Sequence, residues 1–139
     1  MCLEYIEGKV PELEQVLRLY NDAGWLAYTE KPEQLMQALE RSLYLVCAYE
    51  DGQLCGLLRA VGDGCTILYI QDILVEHAHR RAGVGRRMME MAISTFPDVR
   101  QKALMTDETP EMHGFYESLG FCPVGQMGMT AFYYLGKEE

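Results

Sequence analysis

Apolar positions follow two rhythms along this chain. Leu13, Val16, Leu17 and Tyr20 recur at helical spacing just after Pro11, a residue favoured in a first turn, and predict a helix over 11–20. The run Asn21-Asp22-Ala23-Gly24-Trp25 breaks it. Pro32 opens a second helix with Leu35, Met36 and Leu39 on one side. The pattern then turns β-like. Segments 43–49 and 53–61 read as strands joined by the hairpin signal Glu50-Asp51-Gly52. Gly62-Asp63-Gly64 marks a second turn before a strand over 66–75. That strand, TILYIQDILV, is apolar almost throughout, which predicts a central strand buried on both faces.

Helical spacing returns at 84–95, with Val84, Met88, Met91, Ala92 and Thr95 on the inner side and Pro97 as the stop. A strand over 99–105 follows, and the helical crossover makes it a parallel neighbour of 66–75. Thr109 caps a further helix with Pro110 at its first position. Its inner stripe is Met112, Phe115, Tyr116 and Leu119, and Gly120 ends it. Segments 121–124 and 129–135 read as closing strands. The order α, α, β, β, β, α, β, α, β, β predicts an α/β class fold with one mixed sheet flanked by helices. The length of 139 residues suits a single domain spanning 1–139.

Composition narrows the function classes. An apolar share of 49% and a charged share of 24% are those of an ordinary globular domain. The net charge of −9 argues against a nucleic-acid binder, which needs a broad basic face. Five cysteines without a CxxC spacing argue against a disulfide framework and against a structural zinc site, so no metal is expected. The bland reading is five thiols in a reducing cytosol, several packed as small hydrophobes. Glu4 and Glu7 interrupt any early apolar run, and no uncharged stretch approaches the ~20 residues of a membrane span. The expectation is a soluble, cytoplasmic protein with no membrane partner.

The segment Arg80-Arg81-Ala82-Gly83-Val84-Gly85-Arg86-Arg87 changes the picture most. It lies between an apolar strand and a helix, where the first amides lack intrahelical acceptors and the helix dipole is positive. Such a corner binds anions, phosphate above all. Gly83 and Gly85 clear side chains from the approach. Four of the chain's twelve Lys and Arg residues lie within positions 80–87. A plain strand-to-helix turn with a solvated basic rim explains the glycines but not the arginines. A dinucleotide fingerprint needs a third glycine where Met88 stands, and a Walker loop needs a GK[ST] that is absent.

Arg80-x-x-Gly83-x-Gly85 resembles motif A, [RQ]xxGx[GA], of the GNAT (Gcn5-related N-acetyltransferase) superfamily. The preceding DILV, the following RRMMEMAI and the later FYESLGF, similar to the family's FYxxxGF signature, extend the resemblance over essentially the whole chain. The stretch DILVEHAHRRAGVGRRMMEMAI and the ending GMTAFYYL also look similar to plant and cyanobacterial arylalkylamine (serotonin-type) acetyltransferases. The resemblance implies a GNAT fold and acetyl-CoA as cofactor. Backbone groups of Ile73, Leu74 and Val75 would pair with the pantetheine arm. The turn, Arg80, Arg81, Ala82, Gly83, Val84, Gly85 and Arg86, would hold the pyrophosphate. Tyr116 matches the tyrosine that protonates the departing thiolate. Two departures stand out: Thr109 replaces the usual asparagine that helps hold the arm, and Ala82 stands where lysine, arginine or glutamine is common.

Acetyl transfer to an amine then implies further roles. The amine attacks when neutral, so a proton must be accepted directly or through water. Asp72, in mid-strand, is one base candidate; the alternative is a structural carboxylate bonded to Arg59 or backbone. His113, one turn before Tyr116, is a second base candidate, or simply a polar surface residue. Tyr116 falls on the inner stripe, so packing and acid roles coexist. Trp25 and Tyr28 suit the wall of an amine pocket, alongside Arg59 and Asp72, or serve as core. The expected reaction is acetylation of a primary amine, most naturally of a small molecule. A non-catalytic acyl-CoA sensor and a protein or peptide acetyltransferase are the alternatives, and a homodimer is an expectation for such folds.

Overall fold

The structure, a computed structural model, describes residues 2–136. The chain divides into two compact units, Met1–Met105 and Thr106–Glu139.

The first unit is built on a five-stranded sheet in sequence order: β1 (Leu3–Glu7), β2 (Tyr44–Glu50), β3 (Gln53–Gly62), β4 (Ile67–Val75) and β5 (Gln101–Leu104). The first four strands are antiparallel, and β4 pairs β5 in parallel. This is the expected meander followed by a crossover, with one addition. Strand β1 pairs with β2 in full register, although its five residues, LEYIE, carry too short a pattern to stand out in the sequence. Three helices precede the meander: α1 (Leu13–Asp22), the short α2 (Leu26–Thr29) and α3 (Pro32–Glu40). Helix α2 lies just past the segment read as a break. Helix α4 (Val84–Thr95) provides the crossover with the predicted limits.

Helices cover both faces of this sheet. Val16, Leu19 and Tyr20 of α1 join Leu35 and Leu39 of α3, and Leu45, Cys47, Leu54, Leu57 and Leu74 of the strands, in one buried cluster. On α4 the buried side chains are Val84, Met88, Met89 and Ala92; Thr95, expected inside, is exposed, and Met91 is half-buried. Close seating of α4 depends on Gly56 of β3. A β-carbon there would stand 2.9 Å from Val84 Cγ1, 3.2 Å from Met88 Cε and 3.3 Å from Ala48 Cβ.

The expectation for 66–75 needs correcting. Strand β4 is not buried on both faces: Leu68, Ile70, Asp72 and Leu74 are buried, while their alternates are half-buried and Gln71 is exposed. Strand β3 occupies the middle and is buried on both faces from Leu54 to Ala60. The reason is positional. Strand β5 pairs with β4 only as far as Ile70↔Leu104, and the register between β3 and β4 then slips by one residue at Gln71. From Asp72 to Val75, β4 has β3 on one side and no described strand on the other.

In the second unit, α5 (Pro110–Ser118) begins as expected: Thr109 caps it, its Oγ1 accepting the Met112 amide at 3.1 Å, and Pro110 is the first residue. Only Tyr116 of the predicted stripe is fully buried; Met112, Phe115 and Leu119 are half-buried. The two closing strands are not formed. Residues 124–127 make a 3₁₀ turn, and 128–136 have no regular structure. A β-favouring sequence becomes a strand only beside a hydrogen-bonding partner, and no described strand pairs with it. Phe132 and Leu135 are 93% and 91% exposed as a result.

Candidate functional site

Two groups of residues in the first unit carry chemistry. One is the corner between β4 and α4. Strand β4 ends at Val75, a 3₁₀ turn spans His77–His79, and Arg80 is extended (φ −67°, ψ 149°). Arg81 then takes φ 67° and Gly83 φ 82°, both left-handed. For Gly83 this conformation carries no β-carbon penalty, whereas for Arg81 it is uncommon and mildly strained. Two left-handed residues within three positions bend the chain sharply ahead of α4. Gly83 is the N-cap of α4, and Arg87 is the residue whose amide returns to its carbonyl, at 3.0 Å. Arg87 is thus the first residue of α4 whose amide finds its acceptor along the helix. Arg80, Arg81, Ala82, Gly83 and Arg87 are exposed; Val84 is buried beneath the turn. The backbone of Ile73, Leu74 and Val75, paired with β3 on one side and with no described strand on the other, leads directly into this corner.

The other group surrounds Asp72, which is 2% exposed. Arg59 Nε donates to its Oδ2 at 2.6 Å and Tyr20 OH to the same oxygen at 3.0 Å, while Tyr28 OH donates to Oδ1 at 2.8 Å. A buried carboxylate is tolerated when so bonded. Burial opposes the Arg59 charge, but the bond and charge of Asp72 more than offset this and hold the guanidinium above its usual range. Burial, reinforced by Asp72, pushes the Tyr20 phenol far up. Trp25 and Tyr28 are half-buried and meet Tyr20 edge-on, with centroids 5.9 and 5.2 Å away; they lie 6.0 Å from each other. Arg59, Asp72, Trp25 and Tyr28, named from sequence, thus form one cluster. Tyr20 is its unforeseen member. Its phenol on an otherwise apolar stripe was the available signal, because a buried hydroxyl requires a partner.

The remaining expected residues, Tyr116, His113 and Thr109, lie in the second unit. Tyr116 is 7% exposed and packs edge-on against Phe115 and Phe121, with centroids at 4.9 and 6.0 Å. Burial raises its phenol, and a hydrogen bond with Thr106 works the other way. His113 Nε2 contacts the exposed Glu108 carboxylate. The Thr109 oxygen is engaged in capping. Among the described residues no cluster of histidine, cysteine, aspartate and glutamate could hold a metal, and no helix is long and apolar enough to cross a membrane. Cys47 and Cys55 are buried, and burial raises their thiols to about 12 and about 11, so neither is a nucleophile near neutral pH.

Comparison with known proteins places these features in context. A family model described as an acetyltransferase (GNAT) domain matches residues 11–131. The GNAT-family acetyltransferase SP0256 of Streptococcus pneumoniae is 33% identical with a TM-score of 0.88, covering 99% of this chain and 100% of that one. The aminoglycoside acetyltransferase HMB0005, from an uncultured soil metagenomic sample, shares the fold at TM-score 0.72 and 19% identity, over 99% and 100% of the two chains. A protein of Gibberella zeae named as an acetyltransferase, FG08082, is 34% identical over 74 residues. That match covers 51% of this chain and 41% of the fungal protein, so the chain spans about two fifths of that relative.

Proposed function

Because the chain belongs to the GNAT acetyltransferases, as the family match over residues 11–131 shows, we propose that it transfers the acetyl group of acetyl-CoA to a primary amine of a small molecule. The carrying observation is the corner at 80–87, where left-handed Arg81 and Gly83 precede α4 amid four arginines. These residues suit a diphosphate: a helix begins there, its N-cap Gly83 carries no β-carbon, and guanidinium groups supply charge. The amides of Arg81 to Arg86 hold the diphosphate, and the unpaired edge at Ile73, Leu74 and Val75 takes the pantetheine arm as an added strand. When bound, acetyl-CoA supplies an acetyl group activated as a thioester.

The chain's own residues supply position, charge and protons. A backbone N–H within Ile73–Val75 stabilises charge growing on the carbonyl oxygen. Tyr116 donates a proton to the leaving sulfur; a phenol raised by burial stays protonated until it is needed. Asp72 already accepts from Arg59, Tyr20 and Tyr28, so it orients the Tyr28 hydroxyl and the amine rather than acting as a free base. The amine proton leaves through water, with His113 as the remaining side-chain candidate. The wall of Trp25 and Tyr28 favours an amine with an apolar or aromatic body. An aminoglycoside-modifying structural neighbour supports a small-molecule acceptor. We read 1–139 as one domain, since the family model runs through both units. We place it in the cytoplasm. The exposed run from Phe132 to Leu135 supports a second copy as partner.

A panel of aryl, alkyl and polyamine acceptors, read by thiol release from acetyl-CoA, tests this reading. Turnover is expected, and Tyr116→Phe should lower kcat by roughly one to two orders of magnitude with little change in coenzyme A affinity. Coenzyme binding without turnover of any amine would leave a sensor instead. Undiminished kcat in Tyr116→Phe would remove that residue as the acid.

A further inference from the structure

The four residues leading into the phosphate turn, Glu76 to His79, are fixed from several sides. The Glu76 amide donates to Cys55 O at 2.8 Å. The His77 amide and Nδ1 both meet Asp22 Oδ2, at 2.9 and 3.0 Å. The bond from the His77 amide, followed by weaker contributions from its ring, holds the Asp22 carboxyl below its usual range. Arg80 Nε reaches back to Val75 O at 3.3 Å. The least expected contact is that of His79, whose side chain is only 11% exposed. Its Nε2 lies 2.7 Å from Glu50 Oε1, at the end of β2, and its Nδ1 faces Glu76 Oε2 at 3.7 Å. Arg18 of α1 completes the group: it stands 3.4 Å from the same Glu76 oxygen and bonds the Leu54 carbonyl.

We infer that His79 is a positioning residue for the phosphate turn, holding its lead-in against the ends of β2 and β4 through Glu50 and Glu76. The inference rests on the reading that the turn grips the coenzyme's diphosphate. Its physical basis is geometry: each ring nitrogen faces one carboxylate, Nε2 that of Glu50 and Nδ1 that of Glu76. His79 Nδ1 and Glu76 Oε2 are buried without a hydrogen-bond partner among the described residues, and they face each other. Buried polar atoms left so are rare and costly. A small inward shift of the lead-in closes this contact into a hydrogen bond. A diphosphate pulling on the amides that begin two residues further along, at Arg81, favours that shift, since contacts in ligand-free sites tighten on binding. The His79 ring thereby sets the angle at which the turn presents its amides.

The test is calorimetric titration of the full chain with coenzyme A, with thermal unfolding of each variant. Gly85→Leu comes first. If it binds like the wild type, the turn reading fails and this inference falls with it. If it loses binding, the turn stands and His79 is tested separately. Folded His79→Gln and Glu50→Gln should each bind coenzyme A roughly tenfold more weakly, and the double variant no more weakly than either alone. In protein labelled with 15N-histidine, coenzyme A should shift the His79 Nδ1 resonance towards that of a donor in a hydrogen bond, a change that simple packing of the ring does not produce. Wild-type affinity in either folded single variant, additive losses in the double, or an unmoved Nδ1 resonance would each overturn the proposal. Should His79→Gln not fold, Glu50→Gln and the resonance decide it.

Discussion

The corner at 80–87 and the cluster around Asp72 solve opposite problems. The corner is contiguous and largely open: eight consecutive residues carry four arginines, and Arg80, Arg81, Ala82, Gly83 and Arg87 are exposed. The cluster is closed on itself. Residues from α1, α2, β3 and β4, separated by up to 52 positions, spend their polar atoms on one another. The first is stable because water can serve its exposed groups. The second is stable only as a complete set, because a buried charge stripped of its partner costs several kcal/mol. Substitution should therefore affect coenzyme binding at the corner and folding first of all at the cluster.

The sharpest separation comes from Gly85→Leu. Gly85 lies inside α4, where leucine is a better helix former than glycine. Its unfolding temperature should hold or rise while coenzyme A affinity falls by roughly two orders of magnitude. A parallel loss of both would erase the distinction between the regions. Next is Arg59→Met, which strands the Asp72 charge and should cost about 3–5 kcal/mol in denaturant unfolding. Adding Asp72→Asn removes the charge, keeps an acceptor for the tyrosines, and should recover most of the loss. If the double variant is no better than the single, the pair is not the unit described here.

The smallest effect concerns Asp63, where the protein binds an anion of its own on consecutive amides. Asp63 Oδ1 accepts from the amides of Cys65, Thr66 and Ile67 at 2.8, 2.7 and 3.1 Å, and Oδ2 from the Thr66 hydroxyl at 2.7 Å. These bonds, that of Thr66 foremost, hold its carboxyl well below the usual range. A depressed carboxyl stabilises the fold above its unfolded pKa, about 3.9, and loses that contribution as the pH falls towards its lower folded value. Asp63→Asn should unfold at a slightly lower temperature near neutrality, with the gap to wild type closing below about pH 4. A gap constant with pH would mean that carboxylate charge on these amides matters little.

Legibility in sequence tracks the same divide. The turn was readable because its signal is contiguous: two glycines and four arginines between a strand and a helix. The limits of α4 and the cap at Thr109 were readable for the same reason. Asp72 could be flagged as an anomaly in an apolar strand, and Arg59 named as its partner, but nothing local linked Tyr20 of α1 to it. His79 drew no assignment, because its partner Glu50 lies 29 residues away. The closing strands were misread for a related reason: AFYYL favours extended structure, yet pairing depends on a neighbour that the sequence does not name. Strand β1 was missed because its partner β2 lies beyond three helices.

Gly56 gives the corner its fixed address. A missing methyl on β3 leaves a socket into which the first residue of α4, Val84, drops, and the valine is too short and stiff to swing aside. The helix cannot slide along the sheet without lifting that peg. A methyl group restored at position 56 would raise the helix by a few tenths of an ångström, tilting the mouth of the corner while leaving every residue of the motif intact. The placing of the corner is thus written 24 residues upstream of Arg80, where the motif begins, in an atom the chain leaves out.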